Sequence, residues 1–356
     1  MKAKTVWVTM LMLFWGLMVA VFPMLSVATA VEEMITEAED AFGNILQTSI
    51  AKIDSVEFTA PAANAPCKVT AKITIIDEDE EASLTAVMLT YYINGDPKGT
   101  TIPMKEASGV YTAEIPGKPS GTKVDFIIRA EDSNKNVTSQ AVATANFAVA
   151  AIPDVDNPAD IVGDDMDILG FSAGYDDTYL YVNYDVQGKI SGGTIEPPDI
   201  NAYGIKVSNP DIDQGEGVTA GKLWVSVPLA KEKVVNEKIM SLLSEIISAK
   251  EFLEEIGMDK VERMKQSGML VMDLSKLIGG KMTEWLLYNA EPDGVVDGGK
   301  FTGKINRAVF GENKTGYYRI LVVTVKNQSL DLFMPIPLNC SNYLTLYTDS
   351  QSYTVK

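Results

Sequence analysis

Hydrophobic and polar residues alternate with a period of two along several short segments in the first half of the chain. These segments span residues 67–76, 86–93, 109–115, 124–130 and 141–147. Turn-forming residues separate them, including Asn94-Gly95-Asp96 and Pro119-Ser120-Gly121. Short alternating segments at this spacing are typical of antiparallel sheets. The pattern therefore predicts a β-sandwich over residues 51–149.

A second group of alternating segments follows a linker at residues 150–158, which contains two prolines. The acidic turn Asp176-Asp177 leads into an alternating segment that ends at Tyr184. Further segments lie at residues 203–207, 223–227, 301–305, 318–325 and 343–347. Their alternation predicts a second β-sandwich over residues 159–356.

Two other segments have the three- and four-residue period of an amphipathic helix. The first covers residues 31–50 and is expected to pack on its own β domain or to dock on a partner or a second copy. The second covers about residues 229–278, is rich in methionine, and either packs on the sandwich or offers a partner surface. The predicted fold class is mainly β: two antiparallel β-sandwich domains, the second with an α-helical insertion, plus a short N-terminal helix.

The first 30 residues have the pattern of a secretory signal peptide. Lys2 and Lys4 precede an apolar run, Pro23 interrupts it, and Ala28-Thr29-Ala30 places small residues before the expected cleavage point. Cleavage after Ala30 predicts an exported protein that is periplasmic, on the cell surface or extracellular. The alternative is an uncleaved membrane anchor, because an apolar run of this length just spans a bilayer.

Charge and composition exclude several classes of function. The chain has 30 Lys and Arg against 48 Asp and Glu, a net charge of −18, so it repels the phosphates of nucleic acids. It has no histidine, which removes the most common general base and most zinc sites. Glycoside hydrolysis needs only two carboxylates, but no segment resembles a hydrolase motif. The sequence therefore predicts neither an enzyme nor a nucleic-acid-binding protein.

The chain has two cysteines, Cys67 and Cys340. In an exported protein they could form one disulfide that ties the first domain to the last strands. The alternative is a pair of buried free thiols. Neither cysteine has a histidine partner, so a cysteine nucleophile is not expected.

Motifs in the first sandwich resemble a known module. Residues 87–95 have the sequence VMLTYYING, and IPM at 102–104, YTAEIP at 111–116 and RAED at 129–132 follow. These motifs resemble the bacterial Ig-like or fibronectin type III-like modules of secreted proteins. The resemblance implies a spacer or adhesion element and no catalytic residue.

Features of the second sandwich resemble another family. Asp167-Ile168, the segment 175–184 and the sequence KINRAVFG at 304–311 follow one another along the chain. This order resembles the carbohydrate-binding family 9-like, or DOMON-like, β-sandwich, from which the helical insertion departs. The resemblance implies a binding protein whose partner is a polysaccharide or another component of the cell envelope.

Six aspartates lie close together where the second sandwich begins. They are Asp154, Asp156, Asp160, Asp164, Asp165 and Asp167. Calcium takes about six to eight oxygen ligands and needs no histidine, so this segment is a candidate structural calcium site. Its spacing is not that of an EF-hand loop, and the alternative is an acidic loop in solvent.

Carbohydrate binding needs an aromatic ring against the apolar face of a sugar, with amide or carboxylate groups beside it. The candidate rings are those of Trp224, Trp285 and Tyr175. Further tyrosines follow in the same strand as Tyr175, with Tyr179 and Tyr181 expected on one face and Tyr184 on the other. Each ring is either a sugar platform or a core residue.

These features together predict a secreted or cell-surface, non-catalytic protein that binds carbohydrate and holds calcium as a structural ion. The alternative is a structural or assembly subunit of an envelope or extracellular complex. In that case the predicted helices contact a protein partner or mediate self-association. Self-association that depends on residues 31–50 would favour the assembly role.

Overall fold

The structure is a computed structural model that describes residues 49–76, 82–141, 150–153, 167–190, 195–196, 199–208, 222–226, 270–273, 291, 293–310, 317–327, 338–348 and 350–356. Within these residues every regular element is a β-strand except one 3-10 helix, Arg307–Phe310. The chain is therefore mainly β, as its alternating pattern predicts. The signal peptide lies outside the described residues, as do nearly all of the predicted N-terminal helix and helical insertion.

The strands are numbered here in chain order. Their bounds are β1 Ile50–Phe58, β2 Cys67–Ile76, β3 Leu84–Ile93, β4 Thr100–Pro103, β5 Lys105–Ala107, β6 Val110–Ile115, β7 Lys123–Asp132, β8 Val137–Gln140, β9 Ala150–Pro153, β10 Ile168–Tyr175, β11 Tyr179–Val186, β12 Ile195–Glu196, β13 Asp199–Ser208, β14 Lys222–Ser226, β15 Leu270–Asp273, β16 Asp293–Asp297, β17 Lys300–Asn306, β18 Tyr317–Asn327, β19 Leu338–Cys340, β20 Leu344–Tyr347 and β21 Gln351–Thr354. Strand β15 lies within the stretch predicted as a helical insertion, so that stretch is not helical throughout.

The first sandwich packs the sheet β1-β2-β6-β5 against strands β3 and β7. Alternate residues of β2 are buried, and Val69 meets Leu89 and Phe126 in one apolar core. Asn94 and Gly95 end β3 in a turn with φ of 51° and 77°, a backbone region that Asn and Gly tolerate best. The strands predicted in this half at 67–76, 86–93, 109–115 and 124–130 are confirmed.

The second sandwich packs the five-stranded sheet β16-β17-β11-β10-β9 against strands β13, β18 and β20. Its core is rich in aromatic side chains. The rings of Tyr184 and Phe301 stack with centroids 4.9 Å apart, and Phe310 meets Tyr318 edge to face at 5.2 Å. Such pairs add to the free energy gained from burial alone.

The two sandwiches share one continuous sheet of 12 strands. Strand β20 pairs in parallel with β8, and β21 pairs with β7 of the first sandwich. Tyr353 and Val355 thereby enter the core of the first sandwich. The expected boundary, which gave residues 159–356 to the second sandwich, is therefore wrong for the C-terminal strand.

A buried polar cluster lies where the sandwiches meet. Asp132 is fully buried, and its carboxylate accepts hydrogen bonds from the Ser49 hydroxyl at 2.7 Å and from the backbone N–H groups of Asn134 and Asn136, both at 2.9 Å. Asn136 in turn accepts the backbone N–H of Tyr343 at 3.0 Å. The cluster thus connects the start of β1, the end of β7 and the segment before β20.

Cys67 is buried in the first sandwich and is a free thiol. It therefore forms no disulfide with Cys340, which lies in β19 of the second sandwich. Burial raises the pKa of the Cys67 thiol, so the group stays protonated and unreactive near neutral pH. Of the two expected states, disulfide or buried free thiol, Cys67 is therefore the buried free thiol.

Candidate functional site

Strands β11 and β17 present an array of polar and aromatic side chains on the side of the five-stranded sheet that faces away from the core. Leu180 and Val182 of β11 are fully buried, so the residues that alternate with them lie on the opposite face. This outer face consists of Tyr179, Tyr181 and Asn183 on β11 and Thr302, Lys304 and Asn306 on β17. In the antiparallel register Tyr179 lies opposite Asn306, and Tyr181 lies opposite Lys304.

Two neighbouring glycines fix the β16-β17 hairpin beside this face. Gly298 has a φ of 61°, which a residue with a Cβ rarely adopts. A Cβ on Gly299 would lie 2.4 Å from the carbonyl oxygen of Gly188. Gly298 therefore allows the turn of the hairpin, and the missing side chain of Gly299 allows its close approach to the end of β11.

Two tyrosines form the centre of the outer face. The ring centroids of Tyr179 and Tyr181 are 6.2 Å apart, in an edge-to-face arrangement. The Tyr179 hydroxyl donates to Glu291 Oε2 at 3.1 Å, and the Tyr181 hydroxyl donates to Asp176 Oδ2 at 2.7 Å. Burial and the bond to Asp176 raise the pKa of Tyr181 to about 12, and the bond to Glu291 raises the pKa of Tyr179. Both rings therefore remain neutral phenols at physiological pH.

The turn before β11 holds Asp176 in place. Its carboxylate accepts the backbone N–H groups of Thr178 at 2.7 Å and of Tyr179 at 2.6 Å, the pattern of an Asx turn. Partial burial opposes ionisation of Asp176, but these bonds and the one from Tyr181 outweigh it and lower its pKa. Asp176 is thus ionised over a wide pH range.

Arg307 supports this turn from the core side. Its Nη1 donates to the carbonyl oxygen of Asp176 at 2.6 Å, and its Nε donates to the Tyr318 hydroxyl at 2.9 Å. The guanidinium also lies over the rings of Tyr175 and Tyr318, with Cζ 4.7 and 5.6 Å from their centroids. A buried cation, stabilised by two aromatic rings, therefore fixes the backbone that carries Asp176.

Hydrogen-bonding groups surround the tyrosine pair. Asn306 Nδ2 donates to Glu291 Oε2 at 3.2 Å, and Glu291 has a φ of 44°, an uncommon value for this residue type. Lys304 Nζ lies 5.2 Å from the centroid of the Tyr179 ring and 3.2 Å from Asp293 Oδ2. On the same face, the buried Oδ1 of Asn183 has no hydrogen-bond partner in the part of the chain that the structure describes.

Tyr175 does not take part in this array. It is only 3% exposed, and its hydroxyl donates to the carbonyl oxygens of Ala141 at 3.0 Å and Thr348 at 2.6 Å. Because the Arg307 guanidinium also covers its ring, no face is free for a sugar. The expectation that Tyr175 is a platform is wrong. Tyr184 is also a core residue, whereas Tyr179 and Tyr181 share one face as their spacing predicts.

The two tryptophans remain sequence-based candidates. Trp224 lies in β14, opposite Ile205 of β13 and Val271 of β15, so its backbone is in the interior of a sheet. Trp285 lies outside the described residues.

The expected calcium ligands fall almost entirely outside the described residues. Five of the six aspartates lie there, namely Asp154, Asp156, Asp160, Asp164 and Asp165. Asp167 immediately precedes β10, where its carbonyl oxygen accepts the backbone N–H of Gln187 at 2.8 Å. Over the described ranges no group of three or more Asp, Glu or Cys side chains is arranged to hold a metal ion. The calcium site stays a prediction.

Chelation tests that prediction. We expect the melting temperature of the protein to fall on chelation and to recover with calcium in preference to magnesium, because a ligand that binds only the folded state stabilises it. Differential scanning calorimetry is the measurement. The double substitution Asp164→Asn and Asp167→Asn should abolish the response, and a melt that chelator leaves unchanged would disprove the site.

Three comparisons with known proteins supply no family. No family model matches the chain, and no curated protein matches it. Among solved structures, the chain is similar to the alpha-L-rhamnosidase from Dictyoglumus thermophilum, with 10% identity, a TM-score of 0.19, and coverage of 85% of this chain and 30% of that one. A likeness this low carries no argument about fold or activity. Among the described residues, no helix has the length and apolarity needed to cross a membrane.

Proposed function

We propose that this chain is an exported, non-catalytic protein that binds carbohydrate at the outer face. The observation that carries the proposal is the Tyr179 and Tyr181 pair, held on a rigid sheet and bordered by Asp176, Glu291 and Asn306. Export rests on the signal-peptide pattern of the first 30 residues. The acidic segment before β10 is proposed to bind a structural calcium ion.

The chemistry of a sugar fits this arrangement. A pyranose has an apolar face of C–H groups that packs on an aromatic ring, and hydroxyl groups around its edge that need hydrogen-bond partners. The tyrosine rings supply the aromatic surface for the apolar face of the sugar. The carboxylate of Glu291 and the amide of Asn306 supply acceptors and a donor beside the rings.

The same geometry favours binding over hydrolysis. A glycosidase needs one carboxyl group whose pKa is raised so that it can protonate the leaving oxygen. Asp176 has a lowered pKa and is fixed by hydrogen bonds from Tyr181 and from its own turn. Asp176 is therefore unsuited to be that acid, and we propose that it helps to hold a sugar without cleaving it.

Substitution of the tyrosine pair tests the proposal. A glycan array and isothermal titration against soluble oligosaccharides should identify a ligand for the wild-type protein. Tyr179→Ala and Tyr181→Ala should each weaken binding by about tenfold or more, since stacking of a sugar on one ring contributes on the order of 1 to 2 kcal/mol.

Tyr111→Ala provides the matched control, because Tyr111 is a half-buried tyrosine on β6 of the first sandwich. It should leave binding unchanged. Equal loss in all three variants would indicate a general effect on folding and would contradict the assignment. Absence of binding over a broad array would instead favour the assembly role, which a pull-down with envelope proteins would then examine.

A further inference from the structure

The charges around the tyrosine pair are predominantly negative. Among the described residues, three carboxylates border it, those of Asp176, Glu291 and Asp293, against the ammonium of Lys304 and the guanidinium of Arg307 behind the turn. At the far end of the same sheet, Asp185 and Asp297 flank Lys300 in the antiparallel register. The outer face therefore has an excess of negative charge beside its aromatic rings.

The ring of Tyr179 already contacts a cation within the protein. Lys304 Nζ lies 5.2 Å from the ring centroid, within the range of a cation–π interaction, while Asp293 neutralises it at 3.2 Å. The Tyr179 hydroxyl donates to Glu291, which increases the electron density of the ring. The cluster thus already stabilises one primary ammonium group, that of Lys304.

We infer that the outer face selects sugars that carry a protonated amine, of the glucosamine type, over their neutral N-acetylated counterparts and over acidic sugars. The inference rests on the proposed function and names the ligand class for it. The sugar ring packs on the tyrosines, and its ammonium group meets the carboxylates of Glu291 and Asp293. A uronic acid would place a carboxylate beside these groups and be repelled.

Lys304 has a specific part in this selection. Its ammonium group occupies the position next to the Tyr179 ring that a ligand ammonium would use, so it competes with the ligand. Removal of the Lys304 charge should therefore strengthen binding of an amino sugar. If Lys304 were instead a hydrogen-bond donor to sugar hydroxyls, its removal would weaken binding of every sugar.

The test compares two soluble oligosaccharides of equal length, glucosamine tetramer and N-acetylglucosamine tetramer, by isothermal titration with the full chain. The titrations are made at about pH 5.5, where the amines of the glucosamine tetramer are protonated. We expect the glucosamine tetramer to bind about threefold more tightly, the effect of one exposed ion pair, because Lys304 holds the cation–π position on Tyr179. Polygalacturonate fragments should not bind.

Three substitutions sharpen the test. Glu291→Gln keeps an oxygen for the Tyr179 hydroxyl but removes the charge, and should reduce the preference about threefold. Lys304→Gln should raise the ratio of glucosamine affinity to N-acetylglucosamine affinity, because it frees the Tyr179 ring for the ligand ammonium. Glu114→Gln, an exposed carboxylate on β6 of the first sandwich, is the matched control and should change neither.

The outcomes separate this inference from the proposed function. Equal binding of both tetramers, lost in Tyr179→Ala, would overturn the amine preference and leave carbohydrate binding intact. Glucosamine binding that persists in Tyr179→Ala would show only attraction to an acidic protein surface and would also overturn it. If no saccharide binds at all, the inference and the proposed function fail together.

Discussion

Tyr353→Ala is expected to lower the free energy of unfolding of the first sandwich by about 4 kcal/mol, typical of truncating a buried aromatic side chain. Tyr353 is 7% exposed, and its ring centroid lies 5.7 Å from that of Phe58 and 6.3 Å from that of Phe126. The residue comes more than two hundred positions after the other strands of that sandwich. Urea unfolding combined with hydrogen exchange is the measurement.

The location of the effect is as informative as its size. Exchange protection should fall in β3 and β7, which surround Tyr353, and fall less in β11 and β17 of the second sandwich. Tyr353→Phe keeps the ring and should cost less than about 1 kcal/mol. Loss of protection only around β18 and β20 would contradict the pairing of β21 with β7.

This position of β21 illustrates where prediction from sequence stops. The bounds of β2 follow directly from its pattern, because each alternate residue is buried on one face. Strand β8 gives no such signal. All four of its residues are buried, including Ser139 and Gln140, so no alternation of apolar and polar residues marks the strand. Pairings between residues this distant in sequence depend on the complete fold.

The candidate site could also be predicted only in part from the sequence. The period of a strand was enough to place Tyr179 and Tyr181 on one face. It could not tell that Tyr175 lies in the core, because only the fold brings Arg307 and Thr348 to its ring and hydroxyl. The contact between Glu291 and Tyr179 spans 112 positions, so only the fold brings the two side chains together.

The junction between the sandwiches leads to the other large effect. Asp132→Ala is expected to destabilise the protein by about 3 kcal/mol, because the Ser49 hydroxyl and two backbone N–H groups would lose their shared acceptor in a buried site. Chemical denaturation at neutral pH measures it. Glu131→Gln, on the same strand but half-buried and ion-paired with Arg129 and Lys135, should cost less than about 1 kcal/mol.

The pH dependence of Asp132 distinguishes a buried charge from an ordinary surface carboxylate. Burial raises its pKa above the usual 3.8, and the bonds from Ser49, Asn134 and Asn136 oppose this shift without cancelling it. The folded state therefore holds the proton more tightly than the unfolded state, so stability is highest below the ordinary pKa and falls as pH rises through the raised one.

Asp132→Asn cannot ionise and should lack this fall, while its side-chain oxygen still accepts the two backbone N–H groups. The stability advantage of the wild type over Asp132→Asn should thus be greatest in acid and shrink as pH rises, as denaturation curves at several pH values would show. An advantage that grows with pH would mean that the hydrogen bonds outweigh desolvation. In that case the charge of Asp132 would stabilise the junction. If the advantage shrinks as pH rises, Asp132 stabilises the junction as a hydrogen-bond acceptor, and its charge is destabilising.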